Sequence, residues 1–194
     1  MPNRGLFHTL VGVCVTMASA AAIATAAEIP RPSPDFAISM VDAQPIQLSQ
    51  YKGKVCALAF ILTTCPHCQK TVGFLSTMQK DYGPRGFQVL ASAIEVMAQL
   101  NVPDFIKRFQ PPFPVGYSQQ KQVNDYLQHP EILRLLMPQL VFIDRQGTIR
   151  AQYAGDDKFF ADAQDKHMRE QIEALLNEAP AKKHTTASTA KKAS

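Results

Sequence analysis

An unbroken apolar run, VCALAFIL at residues 55–62, limits the fold of this chain more than any other segment does. A strand that is apolar at every position has to be buried on both faces, which in practice means a sheet covered by helices on both sides. Immediately after the run, apolar residues recur every three or four positions, and this spacing predicts a helix over residues 66–82. The chain is therefore predicted to be an α/β protein.

The remaining segments continue this pattern of strands and helices. Apolar stretches on either side of residues 42–44 predict a small N-terminal β-hairpin over residues 36–48. The further predicted strands are residues 87–94, 113–117, 140–144 and 148–153, and the further predicted helices are residues 103–109, 119–127, 130–136 and 168–176. Elements in this order predict one mixed central sheet with helices on both faces.

The N-terminal end of the chain is predicted to lie outside this fold. Residues 5–27 carry no formal charge, Arg4 precedes them, and the run ends in small residues. This is the layout of a secretory signal, so residues 1–27 are interpreted as a signal peptide that is cleaved after Ala26 or Ala27. The alternative is an uncleaved membrane anchor over residues 5–27, which is long enough to span a bilayer. We predict a periplasmic or secreted protein.

Three further regions complete the predicted domain organisation. Residues 28–35 contain three prolines and are interpreted as an extended lead-in without secondary structure of its own. Residues 36–180 form the folded domain, and residues 181–194 form a basic, disordered tail without large apolar groups. The formal charge of +4 comes from the ends, because residues 5–181 carry fifteen basic and sixteen acidic side chains. A neutral body without a basic stripe argues against a nucleic-acid partner.

Cys65, Pro66, His67 and Cys68 lie where the apolar strand ends and the predicted helix begins. Cys65 is thereby placed at the helix N-terminus, where free backbone N–H groups and the helix dipole favour a thiolate. Cys68 follows one turn later and can attack a mixed disulfide formed at Cys65. Pro66 suits the first helical position, and His67 can tune the thiolate through a positive charge or an N–H donor. The pair is predicted to cycle between a dithiol and a disulfide without any further cofactor.

A structural zinc site is the alternative interpretation of these cysteines. It needs a second pair of ligands, for which only Cys56 and scattered histidines remain, so we predict no metal site. Cys56 lies near the start of the strand that ends before Cys65, so the two cysteines are on the order of 25 to 30 Å apart. A disulfide requires Cα atoms within roughly 7 Å of each other. Cys56 is therefore predicted to be a buried, unreactive thiol.

Two separated segments resemble the TlpA/ResA type of thiol-disulfide oxidoreductase, a branch of the thioredoxin superfamily related to the redoxin and AhpC/TSA proteins. They are PDFAISMVDAQPIQLSQYKGKVCALAFILTTCPHC, residues 34–68, and MPQLVFIDRQG, residues 137–147. The resemblance implies a thioredoxin-like fold with an N-terminal β-hairpin extension. It also implies that Pro138 is cis and faces the cysteines, and that Met137 offers backbone hydrogen bonds to a bound chain.

Two departures from the family pattern bear on the chemistry. Thr64 stands where the family usually has a tryptophan, and Ala59 occupies the position of the buried carboxylate of thioredoxin. A proton acceptor for Cys68 must then come from elsewhere. Glu95, at the end of the second strand of the sheet, is a candidate, and an ordinary solvated glutamate is the alternative interpretation of it.

The leading functional hypothesis is an exported thiol-disulfide oxidoreductase that acts on protein thiols or disulfides and is recycled by a membrane redox partner. Cys65 is the nucleophile in this hypothesis, and Cys68 is the resolving thiol. The Pro66-His67 dipeptide is the one found in disulfide-donating DsbA-type proteins, whereas TlpA/ResA-type relatives are usually reductants. The direction of electron flow therefore stays open, as does the oligomeric state.

Two other functional classes are less well supported. A peroxiredoxin-like peroxide reductase needs threonine three residues and proline seven residues before its reactive cysteine, and those positions hold Leu62 and Leu58. A Sco-like copper-binding protein would use two thiols and a histidine, which suit Cu(I). Proteins of that kind separate their two cysteines by three residues, whereas Cys65 and Cys68 are separated by two.

Overall fold

The computed structural model describes residues 27–178. Residues 1–26 and 179–194 hold the predicted signal peptide or anchor and the predicted basic tail, so those two predictions fall outside the described residues. Within the described range, no helix combines the length and the apolar character needed to cross a membrane.

A six-stranded mixed sheet forms the centre of the structure. The strands of residues 27–178 are β1 (Arg31–Pro32), β2 (Ala37–Ile38), β3 (Ile46–Gln47), β4 (Val55–Ile61), β5 (Phe87–Ala93), β6 (Val115–Tyr117), β7 (Gln139–Ile143) and β8 (Thr148–Tyr153). Their order in the sheet is β1-β8-β7-β4-β5-β6. β4, β5 and β6 are parallel to one another. β7 is antiparallel to β4, β8 is antiparallel to β7, and β1 is antiparallel to β8. β2 and β3 form the predicted hairpin as a separate sheet.

Helices cover both faces of the sheet, which confirms the predicted fold class. They are α1 (Pro66–Tyr82), α2 (Ala98–Phe109), α3 (Gln120–Leu127) and α4 (Gln164–Asn177). α1, α2 and α4 pack on one face, and α3 packs on the other together with the hairpin. Each face of the sheet therefore has its own apolar core.

β4 is buried along its whole length because both cores cover it. Ala57 and Ala59 contribute to the core on the α1 side, and Leu58 and Phe60 contribute to the core on the α3 side. The ring of Phe60 packs edge-on against Phe36, with 5.3 Å between the ring centroids. Packing on both sides fixes the position of the strand, and with it the position of the turn that follows.

The proline-rich lead-in is part of the sheet, contrary to the prediction that it has no secondary structure. Arg31 and Pro32 form β1, which pairs with β8 at the edge of the sheet. Arg31 is buried, and its guanidinium donates to the backbone carbonyl of Tyr126 and to Oε1 of Gln152, each at 2.9 Å. A buried cation requires such partners, and the local sequence carries no signal of them because both are distant along the chain.

α2 begins at Ala98, whereas the sequence predicted a shorter helix that starts at Pro103. Pro103 lies inside the helix instead, where it removes one backbone donor. Ala98, Val102 and Phe105 are buried along one side of this helix. Packing of that side against the core offsets the loss, since most helical stability in proteins comes from tertiary packing.

The predicted helix over residues 130–136 is wrong, because these residues form a loop between α3 and β7. Among its large apolar side chains only Leu135 is buried, while Ile132 and Leu133 are exposed. The spacing of these residues would give a helix an apolar face, but most of that face finds no packing partner in the described structure, and a short helix without tertiary packing is not stable in water.

We expect Arg31→Met to lower the free energy of unfolding by about 2 kcal/mol, because the buried acceptors of its guanidinium lose their donor. Urea denaturation followed by circular dichroism measures the change. Arg85→Met is the matched control, since Arg85 is exposed, and its effect should stay below about 0.5 kcal/mol. Equal stability of the two variants would contradict the structural role of Arg31.

Candidate active site

The turn between β4 and α1 places Cys65 at the N-terminus of α1, as predicted. Cys65 is the N-cap residue, with extended backbone angles of φ −79° and ψ 119°, and Pro66 occupies the first helical position. The backbone N–H of Cys68 donates to Sγ of Cys65 at 3.4 Å. The half-buried Cys65 sulfur therefore lies against the positive end of the helix dipole.

Cys68 lies one turn into α1 and is fully buried. Its Sγ accepts a hydrogen bond from the backbone N–H of Leu62 at 3.5 Å. Burial is the main reason that the pKa of Cys68 is raised far above the usual thiol value, and the nearby Cys65 and Glu95 raise this pKa further. Both cysteines are free thiols, but Cys65 is accessible whereas Cys68 is shielded.

Glu95 contacts this turn, which contradicts its interpretation as an ordinary solvated glutamate. The backbone N–H of Thr63, at 3.2 Å, and the hydroxyl of Thr63 both donate to Oε1 of Glu95. The second oxygen, Oε2, is buried and has no hydrogen-bond partner among residues 27–178. Consecutive backbone N–H groups, those of Leu62 and Thr63, thus hold the Cys68 sulfur and the Glu95 carboxylate at the same turn.

A groove of about 380 Å³ extends from Cys65 toward the segment that precedes β7. The Met137–Pro138 peptide bond is cis, as predicted. Met137 lines the groove together with Cys65 and the exposed His67. The structure therefore brings together the predicted nucleophile, the predicted tuning residue and a predicted substrate-binding residue.

Two hydrogen bonds to one carbonyl hold the backbone that precedes Pro138. The carbonyl of Leu136 accepts from Nε2 of Gln139 at 2.6 Å and from the backbone N–H of Gly155 at 3.2 Å. A Cβ atom on Gly155 would come within 2.3 Å of the carbonyl oxygen of Met137. The absence of a side chain at Gly155 therefore allows the chain after β8 to pack directly on the Met137 backbone.

Neither a metal site nor a third reactive cysteine accompanies this pair in the part of the chain that the structure describes. Residues 27–178 contain no group of three or more His, Cys, Asp or Glu side chains that could hold a metal ion. Cys56 is buried at the start of β4, and burial raises its pKa to about 12. Cys65 and Cys68 are therefore the two thiols whose positions allow them to react with each other.

Comparison with known proteins identifies the family. The model of the Redoxin family matches residues 30–167, which is most of the chain. This chain belongs to the Redoxin family.

Individual relatives of this Redoxin-family chain agree with its fold. It is 29% identical over 132 residues to the thiol-disulfide oxidoreductase ResA of Geobacillus thermodenitrificans, which covers 68% of this chain and 72% of that protein. A structure from Chlorobium tepidum, assigned as a thiol:disulfide interchange protein DsbE, has a TM-score of 0.66 at 26% identity and covers 76% of this chain and 96% of that one. A thiol:disulfide interchange protein of the thioredoxin family from the same organism has a TM-score of 0.64 at 22% identity, covers 78% and 99%, and supports the fold alone. The predicted TlpA/ResA-like, thioredoxin-like fold is confirmed.

Sequence reasoning missed two residues of this Redoxin-family site, Thr63 and Gly155. Because β4 and β5 are parallel neighbours, the residues that follow their carboxyl ends lie close together. This adjacency could have linked Thr63 to Glu95. Gly155 follows β8, where a single glycine signals only a turn. Its contact with Met137 depends on how two distant segments pack, which local sequence does not encode.

Iodoacetamide at pH 8 is expected to modify Cys65 at least about ten times faster than Cys68 or Cys56 in the native, reduced Redoxin-family protein. Cys65 is accessible, whereas burial and raised pKa values keep the other two as shielded thiols. Peptide mass spectrometry over a time course measures the three rates. In urea all three cysteines should react at similar rates, which is the control for intrinsic differences. Equally fast native modification of Cys68 would show that its shielding is misassigned.

Proposed function

We propose that this chain, an oxidoreductase of the thiol-disulfide type, exchanges disulfides with protein thiols and disulfides through Cys65 and Cys68. The unequal placement of the two sulfurs carries this proposal. Cys65 opens onto the groove, while Cys68 is buried one turn behind it and directs its backbone N–H at the Cys65 sulfur. The names of the ResA and DsbE relatives support the same activity.

In the reductive direction, the thiolate of Cys65 attacks one sulfur of a client disulfide. A new S–S bond joins Cys65 to the client, the client S–S bond breaks, and the departing client sulfur takes up a proton. Cys68 then loses its proton and attacks the Cys65 sulfur, which forms the Cys65–Cys68 disulfide and releases the second client thiolate. Two electrons pass from the dithiol to the client, and the reverse sequence oxidises a client dithiol.

Glu95 is the acceptor of the Cys68 proton in this proposal. A buried thiol with a raised pKa needs a nearby base when it has to act as a nucleophile. Oε1 of Glu95 is occupied by two donors of Thr63, whereas Oε2 accepts no hydrogen bond from residues 27–178. Glu95 and the Cys68 sulfur accept hydrogen bonds from the consecutive backbone N–H groups of Thr63 and Leu62, and the carboxylate contributes to the raised pKa of Cys68.

Met137 forms the client-binding wall of the groove, and the cis Pro138 follows it directly in the chain. Met137 lines the groove together with Cys65, and the chain at Gly155 packs directly against the Met137 backbone. An extended client segment that lies along this backbone can form strand-like hydrogen bonds to it, as peptides do when they add to the edge of a sheet. Such main-chain hydrogen bonds hold the client sulfur in line with Cys65 and do not depend on the side chains of the client segment.

Pro66 and His67 set the reduction potential of the pair. His67 is exposed beside Cys65, so its imidazole can stabilise the thiolate and with it the reduced form. His67→Ala should therefore make the pair more reducing by about 30 mV, which corresponds to about 1.4 kcal/mol for two electrons. Equilibration with glutathione buffers measures the potential, and Lys70→Ala, one turn further along α1, is the control. An unchanged potential in the His67 variant would remove this residue from the tuning role.

The protein acts in the periplasm or outside the cell, and a membrane redox protein recycles its cysteine pair. The uncharged residues 5–27, preceded by Arg4, support export. A dithiol in an oxidising compartment needs a continuing source of electrons, and an oxidant needs an electron acceptor. Mass spectrometry of the protein from its host should find an N-terminus at Ala27 or Glu28. Intact residues 1–27 in a membrane fraction would favour the anchor instead.

Cys68→Ser is expected to trap Cys65 in mixed disulfides with client proteins, because no thiol remains to resolve them. Cys65→Ser should lose both trapping and turnover. Non-reducing electrophoresis detects the trapped adducts, and insulin reduction measures turnover.

Cys56→Ser is the matched control for these variants and should behave as the unmodified protein does, since Cys56 is buried at the far end of β4. Trapping by Cys65→Ser, or full turnover by Cys68→Ser, would reverse the roles assigned to the two thiols.

A further inference from the structure

The most exposed apolar side chains of the structure are concentrated at the end of the sheet that carries Cys65. Within residues 27–178, the large apolar side chains that are more than half exposed are Val96, Met97, Leu100, Ile132 and Leu133. Val96 and Ile132 are 90% and 93% exposed, respectively. We refer to these five side chains as the apolar rim. Large apolar side chains that are exposed together at one end of a soluble protein are uncommon, and such groups mark interaction sites.

The topology of the sheet places the apolar rim on both sides of the active site. β5 is parallel to β4, so Val96 and Met97, which follow β5, lie at the same end of the sheet as Cys65. β7 lies on the other side of β4 and is antiparallel to it. The loop with Ile132 and Leu133, which leads into β7, therefore lies at the same end of the sheet as well. Cys65 therefore lies between the two halves of the apolar rim.

The loop that presents Ile132 and Leu133 is held in a defined conformation. Leu135 is buried in the core on the α3 side and anchors it. The backbone N–H of Leu133 donates to the carbonyl of Pro130 at 3.0 Å, and the ring Nε2 of His129 lies 3.2 Å from the carbonyl of Leu133. Since the loop is already ordered, little conformational entropy is lost when a partner covers its apolar side chains.

The half of the apolar rim formed by Ile132 and Leu133 adjoins the groove in which the chemistry takes place. Leu136, which follows the exposed loop residues, lines the groove together with Cys65 and Met137. A protein partner covers on the order of 800 Å² of surface. A client that presents a sulfur to Cys65 therefore also covers the neighbouring rim.

Charge contributes little to recognition at the apolar rim. Residues 96–100 carry no charge, and residues 130–136 carry one charge of each sign, on Glu131 and Arg134. Such a surface has no excess of basic groups to attract anionic lipid or an acidic peptide. Folded proteins bury most of their large apolar side chains, whereas extended, unfolded segments expose them.

We propose that the apolar rim selects clients whose reactive cysteine lies in an extended segment with large apolar side chains on both sides of it, as in a chain that has not yet folded. This inference rests on the proposed disulfide exchange at Cys65 and adds its substrate class. The two halves of the rim contact the residues that precede and follow the client cysteine.

Two peptides of equal length and charge test this proposal. Each carries one cysteine joined by a disulfide to thionitrobenzoate, flanked by leucine and isoleucine in the first peptide and by serine and threonine in the second. Attack of Cys65 on the peptide sulfur releases the coloured thionitrobenzoate, so its absorbance gives the rate. The native protein should react about ten-fold faster with the apolar peptide, given the apolar area that the flanking side chains bury. A mercaptoethanol–thionitrobenzoate disulfide, which has no flanking residues, is the reference for chemistry alone.

The double variants I132S/L133S and V96S/M97S should each lose most of the preference for the apolar peptide and react normally with the mercaptoethanol reagent. Ile106→Ser is the matched control, because Ile106 is an exposed apolar residue two turns away along α2. Equal rates of the native protein with both peptides would overturn the proposal. A preference for the apolar peptide that survives in both rim variants would also overturn it. The same holds if the rim variants change only dimerisation or binding to neutral lipid vesicles and leave the reaction with both peptides unchanged. Failure of all three reagents to react would instead overturn the disulfide exchange itself.

A different observation, the double hydrogen bond from Thr63 to Glu95, carries a second inference. Both donors of Thr63 are directed at Oε1, which leaves Oε2 as the buried oxygen without a partner in the described chain. The backbone N–H of Leu62, the preceding residue, donates to the sulfur of Cys68. We infer that Thr63 is a positioning residue that orients Glu95 so that Oε2 takes the proton of Cys68. This inference rests on the proposed role of Glu95.

The charged groups around this turn lie on several elements. The Cys68 backbone N–H donates to the sulfur of Cys65, and both Cys65 and Glu95 raise the pKa of Cys68. Thr63 lines a polar cavity with Asp104 and Arg108 of α2. None of these other groups bonds to Glu95 in the described structure. Thr63→Val removes the hydroxyl that donates to Oε1 and keeps the backbone N–H, so the carboxylate retains one of its two donors and is less firmly oriented.

The reagent dithiobisnitrobenzoate tests the role of Thr63 in two kinetic phases. The first phase reports attack by Cys65, and the second reports attack of Cys68 on the Cys65 mixed disulfide. Thr63→Val should slow the second phase about ten-fold near pH 7, a fraction of what a general base contributes, and should shift the pH profile of this phase upward. Thr63→Ser, which keeps the hydroxyl, should restore both.

Glu95→Gln separates this inference from the one on which it rests. In a Glu95→Gln background, Thr63→Val should have no further effect on the second phase, since the group that it orients is gone. An equal effect of Thr63→Val with and without Glu95 would show a merely structural role. A normal second phase in Glu95→Gln alone would remove Glu95 as the proton acceptor, and the role of Thr63 with it.

Discussion

The direct passage from the buried strand β4 into α1 is the constraint on which the site depends. Packing on both faces fixes the end of β4, so the turn at residues 62–64 has little freedom. Within this turn, the carbonyl of Leu62 accepts from the N–H of Cys65 at 3.1 Å, and the carbonyl of Thr63 accepts from Nε2 of Gln69 at 2.9 Å. The N–H groups of Leu62 and Thr63 remain for the Cys68 sulfur and the Glu95 carboxylate. The backbone that ends the strand thus also positions the reactive groups.

Unequal burial gives the two thiols different functions. Cys65 caps the helix at the surface, where a client sulfur can reach it, and Cys68 lies behind it in a region from which water is excluded. The environment that shields Cys68 also raises its pKa, so it stays protonated until a mixed disulfide forms next to it. Shielding therefore limits side reactions of Cys68, and it creates the need for a proton acceptor close by.

The features that the sequence predicts well are those in which burial leaves a local pattern. The apolar run of β4 and the regular spacing after it predict α1 with its observed bounds, Pro66–Tyr82, and with them the position of the cysteines. Prediction fails where long-range contacts decide. Arg31 finds its partners on α3 and β8, and Pro103 is tolerated because its helix packs on the core. The apolar residues of 130–136 have helical spacing, but only Leu135 packs into the core while Ile132 and Leu133 stay exposed, which no local pattern reveals.

The position of the carboxylate follows from the same long-range packing. Ala59, at the place of the buried carboxylate of thioredoxin, is fully buried in the core on the α1 side, where an unpaired charge would be costly to desolvate. Glu95 lies at the edge of the sheet instead and is only partly buried, and two donors of Thr63 compensate its charge. Thr63 also lines a polar cavity of about 310 Å³ that opens beside α2. The carboxylate that accepts the Cys68 proton in the proposed mechanism therefore lies at the end of the sheet, where Thr63 supplies its hydrogen bonds, and not in the centre of β4.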